Sequence, residues 1–245
     1  MRIIFEEDVR ALLEAAPPHR GGRALSCLLD LHLPGDVRCE GCESAGEVQR
    51  LTPAVAGGLR DRVLQQVDEH DAGQLDLVLF GGEPLLDARH VLALSSELQA
   101  ACVRRGVGYA GHLITNGALL DAELARGLAR AGLARVQVTL EGGLLAQGRR
   151  RRGGAESWRR ALAGLRCARK EVALVLRLSP DGLEGELAEL LAALDHAGDL
   201  AGDDGIVLYV ARTAAYPQQA RELAALSPLL DSTAAPAHGG SAARA

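Results

Sequence analysis

An α/β fold on a parallel sheet is what this sequence predicts, and three observations predict it. Short apolar runs of strand length alternate six times with longer, helix-like runs between Ala24 and Leu230. Most of the strand runs are unalternated, the pattern of parallel strands buried on both faces. Hydrophobic residues make up 48% of the 245 positions but aromatics only 2%, so the core is built of Leu, Val and Ala. Strict alternation implies parallel strands joined by right-handed crossovers, as an open doubly wound sheet or a partial (β/α)6 barrel. In either arrangement ligands meet the C-terminal ends of the strands.

Residues 1–23 read as an N-terminal extension, with a strand over Arg2–Phe5 and a helix from about Glu6 to Ala16 stopped by Pro17 and Pro18. The first repeating strand is Ala24–Leu33, halted by Pro34-Gly35, and the loop D-V-R-C-E-G-C-E-S follows it. Thr52 is placed as an N-cap and Pro53 as the first residue of a helix to about His70. Asp76–Phe80 is the next strand, ending on G-G-E-P; a helix over Leu86–Arg105 and a strand over Gly108–Ile114, ending in T-N-G, come after it. Asp121–Ala131 is an amphipathic helix closed by Gly132. Strand Ala134–Leu140 ends in E-G-G, and helix Glu156–Lys170, strand Val172–Leu178, helix Leu183–His196, strand Gly205–Ala211 and helix Gln218–Leu230 complete the series. Residues 24–230 therefore form the folded unit, and 231–245 lack periodicity and are expected to be disordered.

The formal net charge of −5 gives no general reason to expect nucleic acid. No apolar run approaches the length of about eighteen residues needed to cross a membrane. The start, M-R-I-I-F-E-E-D-V-R, turns acidic at once and lacks a signal-peptide core, so a cytoplasmic protein is expected. Five cysteines without a regular framework argue against a fold built on disulfides.

Residues suited to chemistry gather at strand ends. Gly81 and Gly82 allow a sharp bend that leaves backbone groups open to a ligand, Glu83 places one charge at the strand's end, and Pro84 fixes the exit. Arg177, inside V-A-L-V-L-R-L, needs an anionic partner: Glu141 or Glu83 from the protein, or a ligand carboxylate or ribose. Cys39 and Cys42 form a C-x-x-C that, with His32 and Asp36 or Glu43, also admits zinc; a lone pair of this kind is a weak zinc signal. Cys27 sits early in its strand, and Cys102 and Cys167 lie in helix patterns as small buried residues. His112 is read as a structural strand histidine, and Arg149–Arg152 as a solvated loop.

G-G-E-P directly after a buried strand resembles the radical S-adenosylmethionine (radical SAM) enzymes, where this turn binds the amino group of the SAM methionine. G-H-L-I-T-N-G-A-L-L-D resembles that family's third strand end, and A-R-V-Q-V-T-L-E-G its V-x-V-S-L-D-G, with Thr139 for Ser and Glu141 for Asp. Gln147–Gly154 resembles a stretch that often reads H-D-x-x-R-G. The similarity spans roughly Ala24 to Ala211 and points to the peptide- and sulfatase-modifying branch. It implies a partial (β/α)6 barrel, with SAM contacted by Gly81, Gly82, Glu83, Pro84, Asn116, Thr139, Glu141 and Arg177. It also implies a [4Fe-4S] cluster on a C-x-x-x-C-x-x-C loop. Here Cys39 and Cys42 match two of the three thiolates, Gly35 stands at the first, and Gly41 replaces the usual aromatic residue. Three functions stay open: radical modification of a peptide or protein substrate; a degenerate, non-catalytic member that binds SAM or peptide beside a partner maturation enzyme; and, last, a zinc-binding barrel.

Overall fold

The computed structural model describes residues 2–5, 23–31, 33, 50–141, 154–179 and 206–210. They contain seven parallel strands: β1 (Arg2–Phe5), β2 (Arg23–Asp30), β3 (Ala72–Phe80), β4 (Gly108–Thr115), β5 (Arg135–Glu141), β6 (Ala173–Ser179) and β7 (Ile206–Val210). Among the described residues four α-helices lie between them: α1 (Pro53–Glu69), α2 (Ala88–Arg104), α3 (Ala122–Arg130) and α4 (Gly154–Ala168). The order across the sheet is β1-β7-β6-β5-β4-β3-β2. From β2 to β7 it never reverses. Right-handed crossovers then place every connecting helix on the same side, whereas a doubly wound sheet needs a reversal point. The sheet is therefore a singly wound, partial-barrel arrangement, and β1 lies beyond β7 as a seventh strand.

The helix-covered side is the core. Leu75, Leu77 and Leu79 of β3, Leu113 of β4, Val136 and Val138 of β5 and Leu174 and Leu176 of β6 are fully or almost fully buried. They share one cluster with Val67 of α1, Leu94 and Leu98 of α2, Leu128 of α3 and Leu165 of α4. In β3 half-exposed residues come between them, the alternation of one covered face and one open face, whereas Val175 of β6 is buried as well. Ser95 links three elements inside this core: its hydroxyl donates to Ala131 O at 2.7 Å and so accepts from Tyr109 OH, also at 2.7 Å. Burial there pushes the Tyr109 phenol well above its ordinary range.

Helix ends follow the sequence closely. Thr52 Oγ1 accepts from Val55 N at 3.3 Å and Asp121 Oδ1 from Leu124 N at 2.7 Å, each satisfying an N–H that has no partner within the helix. Gly132, with φ of 79°, follows α3 as the expected terminating glycine. β3 begins at Ala72, four residues before the expected Asp76, because Gln74 is paired on both sides, with Ala24 and Gly108. Cys167 corrects one expectation: it is exposed, since α4 buries Trp158, Ala161, Leu162, Leu165 and Ala168 instead. The expected helices Glu6–Ala16, Leu183–His196 and Gln218–Leu230 and the tail lie outside the described residues. Among the described residues no helix is long and apolar enough to cross a membrane.

Candidate cofactor site at the strand ends

β3 leaves the sheet through Gly81 and Gly82, whose φ values of 103° and 58° are conformations that side-chain-bearing residues rarely adopt. The pair turns the chain without a Cβ, so its peptide groups stand open at the strand's end. Glu83 then returns to extended geometry and caps a short 3-10 turn, Pro84–Asp87, its Oε1 accepting from Leu85 N at 2.9 Å. Pro84 and Leu85 are buried beneath it.

The Glu83 carboxylate is only 1% exposed. Besides Leu85 N, its Oε1 accepts from Thr115 Oγ1 at 2.7 Å and its Oε2 from Asn116 N at 2.8 Å. Thr115 Oγ1 in turn accepts from Gly117 N at 3.1 Å, and Asn116 Oδ1 accepts from Ala118 N at 2.9 Å, folding T-N-G into a side-chain-stabilised turn. An ionised carboxylate out of water is costly unless donors replace its hydration; the three donors here do that with charge-assisted bonds. G-G-E-P and T-N-G are thus one structural unit. Sequence reasoning singled out Glu83 and Asn116 but missed Thr115, whose hydroxyl had no distinguishing signal beyond its place in a short motif.

The rim continues through neighbouring strands. Thr115 is paired with Val138, so Asn116 and Thr139 are the next residues along adjacent strands. Thr139 is paired with Arg177, and Glu141 with Ser179. Gly81–Pro84, Asn116, Thr139, Glu141 and Arg177 consequently occupy the C-terminal ends, or the last turn, of four successive strands. Open glycine backbone, an amide, a hydroxyl and a guanidinium in one row suit a zwitterionic ligand carrying an ammonium and a carboxylate.

Below the rim, strand register aligns Leu28, Val78, His112, Arg135 and Ala173 in one row on the open face. Asp76, which accepts from Gln74 Nε2 at 3.1 Å, sits one side-chain step lower. Burial pushes His112 down to about 4, the Arg135 cation adding to the effect and Asp76 opposing it. Burial also lowers Arg135, again against Asp76. At neutral pH His112 is therefore an uncharged imidazole beside a guanidinium.

Cys39, Cys42, His32, Asp36 and Glu43 lie outside the described residues. Among the described residues no three His, Cys, Asp or Glu side chains gather as a metal site. The donor set alone decides the fit of a cluster: Cys39 and Cys42 are two thiolates, and Gly35 offers no side-chain donor in the third position. A [4Fe-4S] cluster held by three protein thiolates does not fit that set.

Comparison with known proteins agrees with this architecture. Among curated proteins nothing matches the chain. Among solved structures, native anSMEcpe with bound AdoMet superposes with a TM-score of 0.61 at 17% identity, covering 76% of this chain and 51% of that one. The complex of anSMEcpe with AdoMet and Kp18Cys peptide gives 0.61 at 18% identity, covering 77% and 51%. Streptococcus suis SuiB bound to S-adenosylmethionine gives 0.54 at 14% identity, covering 92% and 52%. At these identities the likeness is one of fold, and the chain spans about half the length of those structures. The family model of the radical SAM superfamily matches residues 38–178, more than half of the chain, from the cysteine loop through β6. The chain belongs to the radical SAM superfamily.

Proposed function

We propose that this protein binds S-adenosylmethionine along the C-terminal ends of β3 to β6 and presents it to a peptide or protein partner. One observation carries the reading: the left-handed Gly81-Gly82 turn at the end of a buried strand, tied to the T-N-G turn beside it. In this reading the backbone carbonyls of the glycine turn accept from the SAM ammonium, and Pro84 fixes the chain's exit. Asn116, Thr139, Glu141 and Arg177 line the remainder of the site, Arg177 supplying the cation for a carboxylate. The peptide partner is inferred from the anSMEcpe complex, whose bound molecules include a peptide.

Two thiolates without a third favour binding over reductive cleavage, so no radical step is assigned to the chain. This is the degenerate-member reading, with a SAM site retained and a cluster loop eroded. Anaerobic reconstitution with iron and sulfide, followed by calorimetric titration with SAM, tests it. SAM binding without retained iron is the expected result. A chain that binds no SAM overturns the reading; a stably retained iron–sulfur cluster that supports SAM cleavage shows instead that the missing thiolate is supplied from elsewhere.

A further inference from the structure

The Glu83 carboxylate is occupied by protein donors on both oxygens, Thr115 Oγ1 and Asn116 N among them coming from the end of the neighbouring strand. Thr115 is itself only 3% exposed, and its hydroxyl is fixed from both sides, donating to Glu83 and accepting from Gly117 N. The glycine pair before Glu83 has, by contrast, the least intrinsic conformational preference of any dipeptide. Left to itself such a turn samples both signs of φ, and a ligand that reads its carbonyls must first order it.

We propose that Glu83 and Thr115 are positioning residues: a carboxylate–hydroxyl brace between the ends of β3 and β4 that holds Gly81 and Gly82 in their ligand-reading conformation. The inference rests on the SAM reading for the identity of the ligand, but the brace itself does not. Glu83 acts through the backbone of its neighbours and does not meet the SAM ammonium. Thr115, which needs no contact with the ligand, sets how well the glycine turn binds it. T-N-G is then the anchor that makes G-G-E-P rigid.

Hydrogen exchange of the segment 81–86 and SAM affinity, measured together, test this. Thr115→Val removes the hydroxyl at nearly constant volume; Thr115→Ser restores it. Loss of preorganisation is expected to raise exchange of that segment about tenfold and to weaken SAM by about the same factor, with exchange in Ala122–Arg130 unchanged. Thr115→Ser is expected to recover both. Should Thr115→Val fail to fold, Glu83→Gln carries the same readouts, because its amide can turn an N–H toward Asn116 N, where an acceptor is required. Wild-type exchange at 81–86 in the variants overturns the brace. Faster exchange with unchanged SAM affinity overturns its positioning role. A wild-type chain that binds no SAM overturns the ligand assignment, and with it that role, while exchange still decides the brace.

Discussion

Leu28 and Leu77 are the same residue type on adjacent strands, one register step apart, since Leu28 is paired with Val78. Leu77 is fully buried under the helices, while Leu28 is 68% exposed on the opposite face. That contrast runs across the sheet. On the covered face most strand residues are Leu or Val, with Cys27, Tyr109, Gly111 and Thr115 among them; on the open face Leu28, Val78 and Val175 are interspersed with Gln74, Asp76, His112, Arg135, Gln137, Thr139 and Arg177. The first face makes the fold, because burying it removes apolar area from water in proportion to that area. The second is relieved of that duty and can carry groups that are poor core material. Stability and, in the proposed reading, ligand recognition are thus separated by one residue's shift along a strand.

The largest expected effect tests this separation directly. Leu77→Ala should cost about 2–5 kcal/mol, the range for deleting a fully buried leucine side chain. Leu28→Ala should stay within about 0.5 kcal/mol, as for exposed substitutions. Chemical denaturation of both variants checks the pair, and equal losses would mean that the open face is covered in solution.

Next comes the titration of His112. The folded chain resists protonating it until about pH 4, whereas an unfolded histidine takes its proton near 6.5. Acidification through that window therefore favours the unfolded chain. The stabilisation is full above about 6.5 and declines toward pH 4, by up to about 3 kcal/mol. His112→Gln should flatten this part of the pH profile relative to wild type, measured as the difference in urea midpoints at several pH values. A profile unchanged by the substitution would place the acid sensitivity elsewhere.

The smallest expected effect on stability is at the rim. Arg177→Ala should change the unfolding free energy by less than about 1 kcal/mol, as a half-exposed residue on the open face. If Arg177 meets the ligand carboxylate, the same variant should weaken SAM by about tenfold or more, the scale of a lost charge-assisted bond. Calorimetric titration decides between that role and a purely internal pairing.

Much of the fold was legible because the covered face is monotonous. Runs such as Asp76–Phe80 and Ala134–Leu140 announce strands by length and content, and Thr52, Asp121 and Gly132 announce helix ends by their chemistry. The early start of β3 was not legible: Gly73 and Gln74 are weak strand formers, and the pairing of Ala72 and Gln74 comes from partners remote in sequence. Which way Glu83 turns was equally hidden. A carboxylate at a strand end can face a ligand or a neighbouring strand, and the choice depends on Thr115 and Asn116, more than thirty residues away.

β1 carries a consequence for how the chain assembles. Strands β2 to β6 each find a partner adjacent in sequence order, but Arg2 is paired with Val207, about two hundred positions away. Closing a loop of that length instead of one of about 35 residues adds about 1.5 kcal/mol of entropic cost before any pairing returns. Contacts of such long range are slow to form. During synthesis the Arg2–Phe5 segment is made before β2 to β7, yet its place in the sheet exists only once Ile206–Val210 has followed. Of the strands described, the earliest made is the last seated.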